Sequence, residues 1–210
     1  MQTIAIIDYG MGNLRSVSKA FEHVAPAARV LVTRDPRLIG AADRVVFPGQ
    51  GAMPDCMREM GESGLREAVL HSAATQPFLG ICIGMQMLFD KSAEGNTPGL
   101  AVLGGEVRRF PPATTAGGMR LKVPHLGWNQ VRQDRVHPLW RGIADGSRFY
   151  FVHSYYPDPD DADQVAGSAD YGLHFACAVA RDNIFGVQFH PEKSQVAGLA
   201  LFANFVTWKP

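Results

Sequence analysis

The stretch Gly80-Ile81-Cys82-Ile83-Gly84-Met85-Gln86, led in by Pro77-Phe78-Leu79, constrains this chain more than any other. Phe78 to Ile81 reads as a short buried strand, and a helical pattern over Met85, Met87, Leu88 and Phe89 begins just after Cys82. Glycines two residues before and after the cysteine leave room for a sharp strand-to-helix turn, where larger side chains would strike the backbone. Such a turn lifts one side chain above the sheet and aims the N–H groups of a helix start at the same space. A thiol held there is favoured as the thiolate, which is the nucleophilic form. The same residues also suit a buried cysteine that ends a strand, with glycines for packing. A catalytic reading therefore needs a base from elsewhere in the chain.

The remaining sequence repeats the strand–turn–helix rhythm. Thr3 to Asp8 is an apolar run suited to a strand buried on both faces. The turn Tyr9-Gly10-Met11-Gly12-Asn13 opens a helix with Leu14, Val17, Ala20, Phe21 and Val24 at helical spacing. Gly10-Met11-Gly12 lacks the third glycine of a dinucleotide fingerprint, since position 15 is Arg. Val30 to Thr33 and Arg44 to Phe47 are further strands. Pro48-Gly49-Gln50-Gly51 follows the second of them, before one long helical segment from Met53 to Ser72. That turn suits an oxyanion hole, but taken without the Cys82 elbow it reads as an ordinary connection. Strands alternating with helices predict an α/β fold with a mainly parallel central sheet flanked by helices.

The character changes after the elbow. Ala93 to Leu100 reads as a loop, and Leu103 to Tyr156 holds short strand signals, predicting an added antiparallel sheet from the middle of the chain. Pro111 to Gly118 reads as a mobile loop. Phe149 to Tyr156 reads as one aromatic strand, and Asp158-Pro159-Asp160-Asp161 as an acidic, solvated surface turn. Leu173 to Ala180 and Ile184 to Gln188 suit a strand pair. Ser194 to Phe205 suits an amphipathic helix through Val196, Leu199, Leu201, Phe202 and Phe205. No repeat or long linker divides the chain, so residues 1–210 are expected to form one domain.

Composition narrows the function. Twenty basic and twenty acidic residues cancel, which gives no footprint for nucleic acid or an anionic membrane. Cys56, Cys82 and Cys177 are odd in number and lack metal-site spacing, so neither a disulfide framework nor a metal centre is expected. With no signal-like start and no 18-residue apolar run, the expected location is cytoplasmic.

Seven histidines could supply the base. His23, His71 and His137 lie in helical or loop contexts suited to the surface, and His125 and His174 in strand-like segments suited to structural roles. His190 ends the apolar strand Ile184 to Phe189 and is followed by Pro191-Glu192-Lys193-Ser194. A strand-end histidine reaches the same sheet edge as Cys82. Glu192 can fold back onto its ring, completing a nucleophile–base–orienter triad.

With these residues in view, the chain resembles the class I (triad) glutamine amidotransferases. Gly80 to Gln86 is similar to the family's nucleophile motif, Gln188-Phe189-His190-Pro191-Glu192 to its base and orienter, and Pro48 to Gly51 to its oxyanion loop. Asp8 to Val17, Pro124-His125-Leu126-Gly127-Trp128-Asn129, Tyr150 to Tyr155 and Gln188 to Ser194 resemble the glutaminase subunits of imidazole glycerol phosphate synthases. In those subunits the oxyanion loop usually reads Pro-Gly-Val-Gly, and Gln50 here replaces the valine. The triad alone also fits glutaminases serving anthranilate or pyridoxal phosphate synthesis, or a γ-glutamyl hydrolase.

The resemblance implies a flavodoxin-like core and hydrolysis of L-glutamine to glutamate and ammonia without a cofactor. It implies Cys82, His190 and Glu192 as the triad, and backbone N–H groups of Gln50, Gly51 and Ile83 as the oxyanion site. Gln86 and His153-Ser154-Tyr155 are implied to bind the amino-acid end of glutamine. The ammonia is implied to pass to a separate cyclase subunit of barrel fold in histidine biosynthesis, met by a surface that includes Met11, Asn13, Trp128 and Lys193.

Overall fold

The computed structural model describes every residue except 113–114 and 117–118, and at 115–116 and 119–120 the backbone alone. The first half runs β1 (Thr3–Ile7), α1 (Leu14–Val24), β2 (Arg29–Thr33), α2 (Pro36–Gly40), β3 (Arg44–Gly49), α3 (Met53–Glu62), α4 (Arg66–Thr75), β4 (Phe78–Cys82) and α5 (Ile83–Gln86). The middle is strand-rich: β5 (Phe89–Ser92), β6 (Thr97–Pro98), β7 (Leu103–Arg109), β8 (Thr115–Ala116), β9 (Met119–Arg120), β10 (His125–Gln130) and β11 (Arg132–Gln133). The last part holds β12 (Arg148–His153), β13 (Tyr155–Pro159), β14 (Val165–Asp170), β15 (His174–Arg181), β16 (Ile184–Val187) and α6 (Gln195–Thr207).

Eight strands make the central sheet, in the order β11-β14-β15-β16-β4-β3-β1-β2. From β16 to β2 the neighbours are parallel, and β11, β14 and β15 extend the sheet antiparallel. Every residue of β3, β4 and β16 is buried, which is why these strands read as continuous apolar runs rather than alternating ones. α1 turns Val17, Ala20 and Phe21 inward, and Phe21 meets Phe202 of α6 at 4.4 Å between ring centroids. A second sheet, β13-β7-β5-β6, and the pair β10-β12 come from the middle of the chain. Among the described residues no helix is long and apolar enough to cross a membrane.

The α/β architecture matches the expectation, but several local assignments change. The single helix expected from Met53 to Ser72 is two, α3 and α4, parted where Gly64 takes the left-handed φ of 69°. The helical pattern behind Cys82 stops after one turn, and Phe89 starts a strand paired with β7. Met85, Met87, Leu88 and Phe89 are all fully buried, so an all-apolar stretch carried no period from which to choose. The loop expected from Ala93 to Leu100 contains a 3-10 turn at Glu94–Asn96 and β6. Of the mobile loop expected over 111–118, residues 113–114 and 117–118 lie outside those described, and Thr115–Ala116 forms β8, paired antiparallel with β9.

The aromatic strand Phe149 to Tyr156 is broken at Ser154 into β12, paired with β10, and β13, paired with β7. β13 takes in Asp158 and Pro159, so the acidic surface turn is partly strand, and Asp158 pairs with Arg108 at 2.9 Å. In α6 the inward residues are Gly198, Leu201, Phe202 and Phe205, while Val196 is 81% exposed.

His137 is not a surface residue: its ring is half-buried against Phe185 and Trp208. Burial, with Arg135 nearby, pushes its pKa down to about 4, and burial alone takes His125 to about 4. An unfolded histidine titrates near 6.5, so the unfolded chain takes up protons first as pH falls. The stability these neutral rings contribute is complete above about pH 6.5 and is lost as pH falls toward 4. The urea midpoint is therefore expected to fall between pH 7 and pH 5, less steeply in His137→Phe. A flat midpoint in the unmutated chain would contradict this account.

Candidate active site

Register brings the key residues together. β4 lies between β3 and β16, with Gly49 opposite Cys82 and Val187 opposite Ile81. The turn Pro48-Gly49-Gln50-Gly51 thus leaves the sheet on one side of Cys82, and Gln188-Phe189-His190 leaves it on the other. The site lies at the carboxyl ends of parallel strands, where an open α/β sheet leaves a crevice.

Cys82 sits at φ 55° and ψ −115°, a left-handed backbone that costs a non-glycine residue of order 1–3 kcal/mol. The flanking glycines make the bend possible. A Cβ on Gly84 would overlap the Phe47 carbonyl, and one on Gly80 would come 2.9 Å from the Met85 Cα. The sharp turn expected from Gly-x-Cys-x-Gly is present. The helix after it has only four residues, too few aligned peptides for a substantial dipole, so electrostatic support for a thiolate comes chiefly from side chains.

That support is His190. Its Nδ1 lies 2.9 Å from Glu192 Oε1, with both side chains almost wholly buried. Burial opposes a charge on the ring, yet the charge of Cys82 and hydrogen bonding to Glu192 hold the pKa up, to about 10. These partners favour the charged form of the His190 ring. Its Nε2 makes no well-aligned hydrogen bond among the described residues, a looseness common where substrate completes the geometry. Asn13 Nδ2 donates to the same Glu192 oxygen at 3.3 Å. Asn13, expected on the partner surface, thus also engages Glu192, the orienter candidate.

A cavity of about 250 Å³ opens above the sulfur. Its walls include Gln50, Gly51, Cys82, Ile83, Gln86, His153, Ser154, Tyr155, His190 and Lys193, so the nucleophile, base, oxyanion and substrate candidates share one space. Glu192 stands behind His190, outside the lining. Met11 is half-buried beside Gly51. Trp128 is 42% exposed and meets Tyr150 edge-on at 6.0 Å, while Lys193 Nζ lies 5.7 Å from that same ring. Trp128 and Lys193 therefore form one surface patch beside the cavity.

Two residues near the thiol had no assigned role. Glu94 lines the cavity and accepts from the Met53 N–H at 2.8 Å, capping α3. Gln188 is fully buried and donates from Nε2 to Cys82 Sγ at 3.7 Å. A signal for Gln188 was available, since it is the one polar residue in the apolar run from Ile184 to Phe189.

The family model for glutamine amidotransferase class-I matches residues 5–208. Imidazole glycerol phosphate synthase subunit HisH of Aromatoleum aromaticum is 65% identical over the full length of both chains. The same subunit of Dechloromonas aromatica is 64% identical, covering all of this chain and 98% of its own. Among solved structures, that of PurLQS from Thermotoga maritima aligns with a TM-score of 0.73 over 98% of this chain and 97% of its own. At 15% identity, that likeness concerns the fold alone.

Proposed function

Because this chain belongs to the class-I glutamine amidotransferases, we propose that it is the glutaminase subunit of an imidazole glycerol phosphate synthase, releasing ammonia from L-glutamine for histidine biosynthesis. The observation that carries this reading is the one cavity lined together by Cys82, His190, Gln50, Gly51 and Ile83.

In the proposed reaction the Cys82 thiolate attacks the side-chain amide carbon of glutamine. N–H groups of Ile83 and of the Gln50-Gly51 turn take the charge on the oxygen, a contribution worth about 3–4 kcal/mol per donor in comparable sites. His190, starting as the imidazolium, gives its proton to the departing ammonia. It then accepts one from the water that hydrolyses the thioester, returning the enzyme to its starting state. Glu192 keeps the ring oriented through Nδ1. Gln86 and the His153-Ser154-Tyr155 segment hold the amino-acid end of the substrate. Gln86 Oε1, buried and without a partner among the described residues, is suited to accept from the substrate's ammonium.

Ammonia then passes to a cyclase subunit that docks on the side bearing Met11, Asn13, Trp128 and Lys193. Hydrolysis without an acceptor would waste glutamine, so a peptide flip at Gly49-Gln50 completes the oxyanion site only when the partner binds. The test is a glutaminase assay of the purified chain with and without the co-purified cyclase. Turnover is expected to be nearly absent alone and to rise at least about 100-fold in the complex, as loss of one oxyanion donor would require. Full turnover by the chain alone would contradict the gating, and none in either state would contradict the glutaminase reading.

A further inference from the structure

We propose that Gln188 is a further active-site donor, whose amide holds and stabilises the Cys82 sulfur. Gln188 follows β16 and is completely buried. Its backbone N–H is tied to Cys177 O at 2.8 Å, so the residue is fixed at both ends. Its side chain lies across the neighbouring strand end, with Nε2 3.7 Å from Cys82 Sγ.

An amide can present either end to a neighbour, and which end it presents has to be inferred from the surrounding hydrogen bonds. Here a chain of bonds decides it. The Tyr155 carbonyl can only accept. It lies 3.1 Å from Gln86 Nε2, so the NH2 end of Gln86 faces that way. The same NH2 group lies 2.8 Å from the Gln188 side-chain oxygen and donates to it. Gln188 must then turn its own NH2 toward Cys82.

The other side of the Tyr155 carbonyl agrees. His153 Nδ1 lies 2.7 Å from it and must carry a proton, which leaves Nε2 to accept from His125 Nδ1 at 2.9 Å. Burial keeps His153 neutral, its pKa down at about 3, so this arrangement does not invert at working pH. Every donor in the series has an acceptor, and the last acceptor is the sulfur. Because donation to a charged acceptor is stronger than to a neutral one, the amide favours the thiolate over the thiol.

This inference rests on Cys82 being the nucleophile. The titratable groups that face the sulfur are His190, with Glu192 behind it, Tyr9 and Cys56, while Glu94 and Lys193 line the cavity. All remain in Gln188→Met, which keeps the side-chain volume and removes the donor. The experiment follows alkylation of Cys82 by iodoacetamide across pH in the full-length chain, read by peptide mass, with a thermal melt to verify folding. In Gln188→Met the midpoint of the alkylation profile is expected to rise by about one to two pH units, slowing alkylation about tenfold or more at pH values below the unmutated midpoint. Gln188→Asn, which withdraws the amide by one methylene, should shift the profile in the same direction and gives the readout if the Met variant does not fold. Folded variants that titrate like the unmutated chain would overturn the inference. If Cys82→Ala retains glutaminase activity, the nucleophile assignment fails instead, so the two failures are distinguishable.

Discussion

Replacement of Cys82 by alanine is expected to lower glutamine hydrolysis by roughly 10⁴-fold or more while leaving the chain folded. The size follows from how the site is assembled. The sulfur is the acceptor for Gln188 and the charge partner of His190, and only it lies at the elbow between Gly80 and Gly84. Under the proposed mechanism, its removal leaves the oxyanion donors and the base with no nucleophile and closes the covalent route. The loss of stability should be modest, because alanine keeps the Cβ and removes one atom, at the cost of leaving the buried Gln188 amide without its sulfur acceptor. A melting temperature within a few degrees of the unmutated value is expected. Under the proposed division of labour, the complex carrying Cys82→Ala keeps synthesis from added ammonium salts and loses synthesis from glutamine. Loss of both would contradict that division.

The second large effect concerns the turn itself. Gly84→Ala is expected to destabilise the chain by about 3 kcal/mol or more, lowering the melting temperature by roughly 6–12 °C in a domain of this size. A Cβ at position 84 would meet the Phe47 carbonyl and carbon of β3. Both belong to backbone inside the central sheet, so relief requires α5 to move away from the strand that carries the Pro48 to Gly51 turn. Glutaminase activity should fall further than stability alone explains, because that movement displaces Ile83 and Gln50 relative to the sulfur. Gly61→Ala is the control. Position 61 lies within α3 with nothing near an added Cβ, so this change should be neutral or slightly stabilising. Equal losses from the two substitutions, read by thermal melts, would sink the steric account.

These outcomes depend on features that were legible in the chain to different degrees. The elbow and the His190–Glu192 pair are local. Each lies at the end of an apolar run, so strand, turn and chemistry can be read from adjacent letters. That Cys82 and His190 meet depends on β16 pairing with β4 across more than 100 residues, as the Cys82–Gln188 separation of 106 illustrates. The order of the motifs suggested that meeting, but only the register specifies it. The break at Ser154 was hidden because aromatic β-formers continue on both sides, and the two halves join different sheets for tertiary reasons. Phe89 was misassigned because a fully buried stretch has no polar face to set a period. Asn13 acts through one side-chain bond and Gln188 through two, all to residues far away in sequence; the lone polar letter in an apolar run marks Gln188, but no local pattern encodes its partners.

The three cysteines allow the central claim, that Cys82 is the nucleophile, to be tested within one molecule. All three are free and buried. Burial pushes the Cys56 thiol up to about 11 and raises Cys177 well above its ordinary range, whereas Cys82 lies beside His190, whose pKa is held up by its partners. The most direct measurement is peptide mapping after inactivation by a chloroketone analogue of glutamine, with the cyclase partner present. One label on Cys82, appearing in proportion to lost glutaminase activity and blocked by excess glutamine, is the expected result. Inactivation with the label on Cys56 or Cys177, or with Cys82 unmodified, would contradict it.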